Sequence, residues 1–352
     1  MKRIFLSLAK KMGLFVLLRY INRNKIIVLT YHGVVSSIPE TNRQYEYRNM
    51  ILDKDFKWQL DFLSCYYNKI SIEQFMDFRE GKINLPQNPF LITFDDGYRN
   101  NLQVATPLLK EKGISAIFFI TSGLIGSREE LLWTDLITYL LFATKKKKVR
   151  VLLLNEVEFS LETEKFRELA SIRIRSFLKN ASKQEITRVI AALKSQLDDV
   201  ESVTPNKYKE RYEFLSWKEA INLLETGMVV GSHTVSHPIL ATLSLQMSKF
   251  EITKSKEEIE AHLKKPCDYF SYPNGKSSDF GTLHEKMLEE ANYKCAFSQI
   301  SGVNDKDTNR YALRRINIDS GLTPVLFEAK ICGFIDLIKK LGMVQKRKNS
   351  TP

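Results

Sequence analysis

Leu91-Ile92-Thr93-Phe94-Asp95-Asp96-Gly97 carries an apolar run straight into two adjacent carboxylates and a glycine. A short apolar run bounded by turn residues reads as a buried strand. Acidic side chains at the end of such a strand are costly if buried unpaired. They mark either a charged surface turn or a site. A second stretch, Gly231-Ser232-His233-Thr234-Val235-Ser236-His237-Pro238, has the same build. It follows the apolar run Met228 to Val230 and sets two histidines four residues apart. That spacing puts both imidazoles on one side of a helical turn, where they can share a metal ion. The plain alternative for the pair is a loop or capping role. A divalent metal takes one carboxylate and two neutral imidazoles and keeps positions open for water and substrate. The other carboxylate is then free to act as a base. On a regular strand the two aspartates would point to opposite faces. They can converge where the strand ends and the Gly97 turn begins.

With both stretches in view, the chain resembles the polysaccharide deacetylases that share the NodB homology domain. Thr93-Phe94-Asp95-Asp96-Gly97 looks like the first motif of that family and Ser232 to His237 like the second. Phe270-Ser271-Tyr272-Pro273-Asn274-Gly275 looks like the third. The resemblance implies Asp95 as catalytic base and Asp96, His233 and His237 as metal ligands. It implies an oxyanion donor in the Tyr272-Pro273-Asn274 segment, the backbone N–H of Asn274. Many members carry a catalytic histidine late in the domain, but here the last histidine is His284, outside that context. A branch that includes biofilm-glycan deacetylases looks circularly permuted and carries this histidine in an N-terminal Tyr-His motif. Tyr31-His32 matches it. The resemblance therefore implies His32 as the acid that protonates the leaving amine. Leu313-Arg314-Arg315-Ile316 is similar to the late arginine motif, with Arg315 rather than Arg314 chosen to hold the base. The implied fold is a distorted (β/α)7-type α/β barrel with its site at the C-terminal strand ends.

The implied reaction is metal-dependent hydrolysis of an N-acetyl group on an amino sugar. Zinc is the first expectation for a site of two histidines and one carboxylate, with cobalt, nickel or iron also compatible. Rival expectations are an O-acetyl esterase or deformylase on a lipid-linked sugar, and a catalytically silent glycan-binding module.

The 352 residues allow one large domain with an insertion, or two domains. A net charge of +12 favours an acidic partner: an anionic glycan or an anionic membrane surface. No zinc-finger, RNP-like or helix-turn-helix pattern is present, so nucleic acid is not expected. The cysteines, Cys65, Cys267, Cys295 and Cys332, are widely spaced and read as reduced, half-buried thiols.

In chain order, residues 1–25 read as a basic amphipathic helix. The run Met12 to Leu18 is too short to span a bilayer, and no cleavage site follows. A helix lying in a membrane interface, or packed on the domain, is expected. That places the protein in the cytoplasm at the membrane, with export to the cell surface as the alternative. Residues 26–127 and 216–322 are expected to form the barrel. Strands are expected over Ile26–Leu29, Phe90–Phe94 and Ser115–Thr121, with helices over Phe56–Tyr67, Ile72–Arg79 and Asn101–Lys112. Residues 128–215 interrupt the barrel as a mainly helical subdomain shaping access to the pocket. It contains a hairpin over Val149–Leu161 and helices over Phe166–Leu178 and Glu185–Leu197. Ser216 and Glu219 form a capping box that restarts the barrel. Residues 323–341 read as one closing helix, and 342–352 as a basic tail.

Overall fold

A computed structural model describes residues 2–38, 44–127, 130–152, 155–200 and 208–342. The expected tail, 342–352, falls almost wholly outside them. Seven parallel strands make the central sheet. They are β1 (Ile27–Tyr31), β5 (Pro89–Phe94), β6 (Ala116–Ile120), β9 (Val229–Ser232), β10 (Tyr269–Ser271), β11 (Cys295–Phe297) and β12 (Ile316–Asn317). The order is β11-β10-β9-β6-β5-β1-β12, with β4 (Asn68–Lys69) added beside β5. The sheet curls until its edges meet. Leu313 N–H donates to the Ala296 carbonyl at 2.9 Å, and Ser298 N–H to the Leu313 carbonyl at 2.8 Å. This is the expected α/β barrel of seven strands.

Alternation along each strand sorts the side chains. Ile27, Leu29 and Tyr31 of β1, Phe90, Ile92 and Phe94 of β5, and Phe118 of β6 pack outward against Phe56, Leu60 and Leu63 of the helix Asp53–Tyr66 and against other helices. Val28, Leu91, Ile117 and Phe119 form a separate inner cluster, closed from below by Phe75 and Met76 of the helix Ile72–Arg79. The period of two therefore carries Leu91, Thr93 and Asp95 to one inner face.

Between β6 and β9 the chain leaves the sheet. Helices Trp133–Ala143, Glu164–Leu178 and Lys183–Gln196 and the antiparallel pair β7 (Lys148–Leu152) and β8 (Glu156–Ser160) enclose their own apolar cluster around Ile137, Leu141, Ile174 and Leu193. β2 (Gly33–Val35) and β3 (Met50–Leu52) form a small parallel pair beside the barrel mouth. Ser216 and Glu219 make the expected capping box at the head of the helix Trp217–Glu225.

Several expectations are corrected. Residues 1–25 form two helices, Lys2–Lys11 and Leu14–Ile21, because Gly13 adopts φ 76° between them. Part of their apolar face is already used: Leu6, Ala9 and Phe15 pack on Ala329, Phe334 and Ile338. The single closing helix is also two, Pro324–Ile331 and Phe334–Lys340, broken where Gly333 adopts φ 87°. The expected helix over Asn101–Lys112 opens with a wider turn over Asn101–Ala105 before Thr106–Glu111. All four cysteines are free, but Cys267, Cys295 and Cys332 are fully buried and Cys65 is exposed, so none is half-buried.

Candidate active site

The site residues stand at the C-terminal mouth of the barrel. Asp95 follows β5 and keeps the inward phase of Thr93. Asp96 would point outward on a continued strand. Instead it adopts φ 78°, a left-handed conformation that side chains rarely take, and Gly97 follows at φ 88°. Two successive left-handed residues turn the second carboxylate back toward the first. The convergence thus begins at Asp96 itself, before the glycine.

The two histidines also converge by a route other than the expected helical turn. Residues 233–238 are a loop, with Thr234 at φ 68° and His237 at φ 58°. Glu251 on the long helix Leu245–Leu263 holds that loop. Its carboxylate accepts the Val235 and Ser236 N–H groups at 2.8 and 2.9 Å and the Ser236 hydroxyl at 2.6 Å. His233 Nε2 lies 3.6 Å and His237 Nε2 3.3 Å from one Asp96 oxygen. Ligand atoms of the three residues all lie within 4.8 Å of one another, and all three residues are buried. Donors about 2.0–2.2 Å from a tetrahedral ion would stand at such separations. His233 Nδ1 is 2.7 Å from the Ser271 carbonyl, which only accepts, so Nδ1 carries the proton and Nε2 offers its lone pair. Burial pushes the His233 pKa down to about 4, which keeps the ring neutral as a ligand must be. The donor set therefore fits a divalent metal ion.

Asp95 is held separately. Arg315 reaches both its oxygens at 2.8 Å in a two-pronged pair. Ser271 Oγ and Gln299 Nε2 donate to them at 3.2 Å. The arginine is itself fixed by the Ser298 carbonyl, Thr93 Oγ1 and Ser271 Oγ, and is wholly buried. Burial alone would raise the Asp95 pKa, but the Arg315 charge, aided by His233, outweighs it and holds the carboxyl below the ordinary range. Arg314 is exposed, and its backbone pairs with Asn304 instead.

His32 lines the same cavity as Asp95, Asp96, His233 and His237, and its buried Nδ1 has no partner among the described residues. Asn274 also lines it, at φ 57°. Its N–H meets no acceptor among the described residues. Tyr272 and Pro273 do not reach the cavity. Tyr272 is buried, its ring stacked 3.9 Å from Phe280. His284, buried at 8% exposure, accepts the Gly281 N–H, and His262 stacks on Trp217, so neither belongs to the site. Gln299 and Ser271 were not expected around Asp95; Ser271 stands within the third motif, and no local pattern marks Gln299.

The cavity measures about 360 Å³. Leu132, Thr134, Asp135, Thr138, Arg175 and Arg211, all from 128–215, are also among its lining residues.

Residues 82–296, more than half of the chain, match a family model described as polysaccharide deacetylase. The match takes in both aspartates, both histidines and Asn274, while His32 and Arg315 lie outside it. A curated relative, YxkH of Bacillus subtilis (strain 168), is 22% identical over 241 residues, 68% of this chain. The chain spans 55% of that relative's length. Among solved structures, the Streptococcus pyogenes deacetylase PplD in complex with acetate aligns with a TM-score of 0.56 at 17% identity, over 88% of this chain and 99% of that one. IcaB from Ammonifex degensii aligns with a TM-score of 0.55 at 18% identity, over 88% and 97% of the two chains. These likenesses are of fold.

Proposed function

Because the chain belongs to the polysaccharide deacetylase family, we propose that it removes an N-acetyl group from an amino sugar of a glycan, releasing acetate and a free amine. One observation supports this above others. A carboxylate gripped by a buried arginine stands in one cavity with an Asp-His-His cluster of metal-ligand geometry.

Asp96, His233 and His237 would hold the ion, zinc first, with cobalt, nickel or iron also suited to these donors. When bound, it would polarise the acetyl carbonyl and make a nearby water more acidic. Asp95, kept ionised by Arg315, takes the proton from that water as it attacks. The Asn274 N–H is free to donate to the oxygen on which negative charge grows. His32 returns a proton to the departing nitrogen, since an amide nitrogen expelled as an anion is far too basic. An O-acetyl esterase or a deformylase would use the same groups, and product analysis separates them. The intact Asp95–Arg315 pair speaks against a silent binding module, in which the base would need no such grip.

We also propose that the protein rests on an anionic membrane surface. Ile4, Phe5, Leu8, Met12, Val16 and Leu17 remain half exposed or more on the first two helices, beside the exposed cations Lys10 and Lys11. No described helix is long and apolar enough to cross a membrane. The enzymatic proposal is tested by mass spectrometry of surface glycans from cells with and without the gene. Acetyl groups that persist on amino sugars only when the gene is missing are expected. Identical glycans would oppose it.

A further inference from the structure

The cavity carries more positive charge than deacetylation needs. Besides the aspartates and histidines it is lined by Arg48, Arg175, Lys179, Arg211 and Lys276, and by Glu46 and Asp135. Both carboxylates are hydrogen-bonded to groups other than Arg48, Arg175, Lys179 and Lys276. Asp135 pairs with Arg211 at 2.9 Å and accepts the Tyr98 hydroxyl at 2.5 Å. Glu46 accepts the Tyr212 hydroxyl at 2.6 Å. Among the described residues, Arg48, Arg175, Lys179 and Lys276 have no carboxylate within ion-pair distance.

Their placement is costly as it stands. Arg175, on the helix Glu164–Leu178, is only 9% exposed. Its Nη2 donates to the Tyr45 hydroxyl at 2.9 Å, while its buried Nε has no partner among the described residues. Arg48 Nη1 donates to that same hydroxyl at 2.5 Å. One neutral phenol thus holds two guanidiniums together. Burial, and then the Arg48 charge, push the Arg175 pKa down to about 10. Burial, then Lys276 and Arg175, push that of Lys179 down to about 8, and Asp279 only partly offsets them. Like charges gathered in a half-enclosed cavity are relieved by an anion. Guanidinium forks match the oxygens of a phosphate or carboxylate.

We infer that Arg48, Arg175, Lys179 and Lys276 form an anion-binding subsite beside the deacetylation centre, and that the substrate is an acidic glycan carrying a phosphate or carboxylate near its acetylated sugar. The substrate class rests on the deacetylase reading; the subsite does not. The net charge of +12 agrees with an acidic partner.

The test compares three N-acetylated oligosaccharides of equal length: neutral, phosphorylated and uronate-bearing. Each is given to the full-length, metal-loaded protein, and equilibrium binding is measured alongside acetate release. The expected result is a KM about tenfold or more lower for an acidic form than for the neutral one, roughly the worth of one or two charge-assisted contacts. The gain should fade as salt is raised. Whichever acidic form gains identifies the anion, and the guanidinium geometry favours phosphate. Lys179→Gln and Arg48→Gln, at partly exposed positions, should each raise the acidic-to-neutral KM ratio from about 0.1 toward one. Lys179→Glu should invert it. Equal KM for all three substrates, or an acidic preference that survives in both variants, would overturn the subsite. Tighter binding of an acidic form without any acetate release would keep the subsite and overturn the deacetylase reading.

Discussion

Asp95 and Asp96 are neighbours with opposite environments, and that division can be measured. Asp96→Ala, His233→Ala and His237→Ala should each leave the protein without metal in elemental analysis. Asp95→Asn should keep its metal and lose turnover; a metal-free Asp95→Asn protein would contradict the division. His32→Ala should retain metal and fold and lose about 10²–10⁴ in rate, the usual worth of a general acid. Near-normal turnover would make His32 structural. His233 adds a pH dependence of known sign. Its folded pKa lies near 4, below the ordinary 6.5, so the unfolded chain takes the proton first as pH falls. Stability of the metal-free protein should therefore decline between about pH 6.5 and pH 4, by of order 3 kcal/mol from this group. Chemical unfolding across that window checks it, and His233→Gln should flatten the slope. The aspartates and the histidine pair were legible because each signal is local: an apolar run ending in ligand-type residues. Gln299 was not, since it reaches Asp95 across 204 positions and only the closed barrel brings them together.

The loops after the strands are shaped by elements far from the chemistry. Glu251 belongs to a surface helix, yet three of its hydrogen bonds set the loop that carries both histidines. Glu251→Ala should weaken metal affinity about 10–100-fold, as loss of a ligand's supporting bonds does elsewhere. Competition against a chromophoric chelator reads this directly, and an unchanged affinity would contradict it. Gly275, at φ 61°, lets the loop after β10 pass the loop after β11: an added Cβ would stand 2.8 Å from the Gln299 nitrogen and 3.0 Å from the Tyr272 carbonyl. Gly275→Ala should cost about 1–3 kcal/mol from backbone strain alone. It should also slow turnover by displacing the Asn274 N–H. A melting temperature equal to wild type would show that the loops can part freely. Strand and helix periods were readable here, and Ile72–Arg79 forms over the expected span. The breaks at Gly13 and Gly333 were not read, because the apolar pattern runs on across both glycines while the backbone turns.

At the scale of the whole molecule, the barrel supplies the reactive groups and residues 128–215 supply much of the cavity wall. Alternation of apolar runs with helical periods exposed the barrel. The cations Arg175 and Lys179 stayed hidden, since on an amphipathic helix they look like any solvated face. The N-terminal helices lie partly on the helices Pro324–Ile331 and Phe334–Lys340 and leave a second apolar face outward. Sedimentation with vesicles containing phosphatidylserine should carry the protein down, and neutral vesicles or a Leu8→Glu/Val16→Glu variant should not. Equal recovery in all cases would detach these helices from any membrane role. The central claim is hydrolysis of an amide at a metal-dependent site. Its most direct test is acetate and primary amine measured together, as the purified, zinc-loaded protein acts on an N-acetylated oligosaccharide. Equal amounts of both are expected, lost on chelation and in Asp95→Asn. Acetate without amine, or release that survives Asp95→Asn, would contradict it.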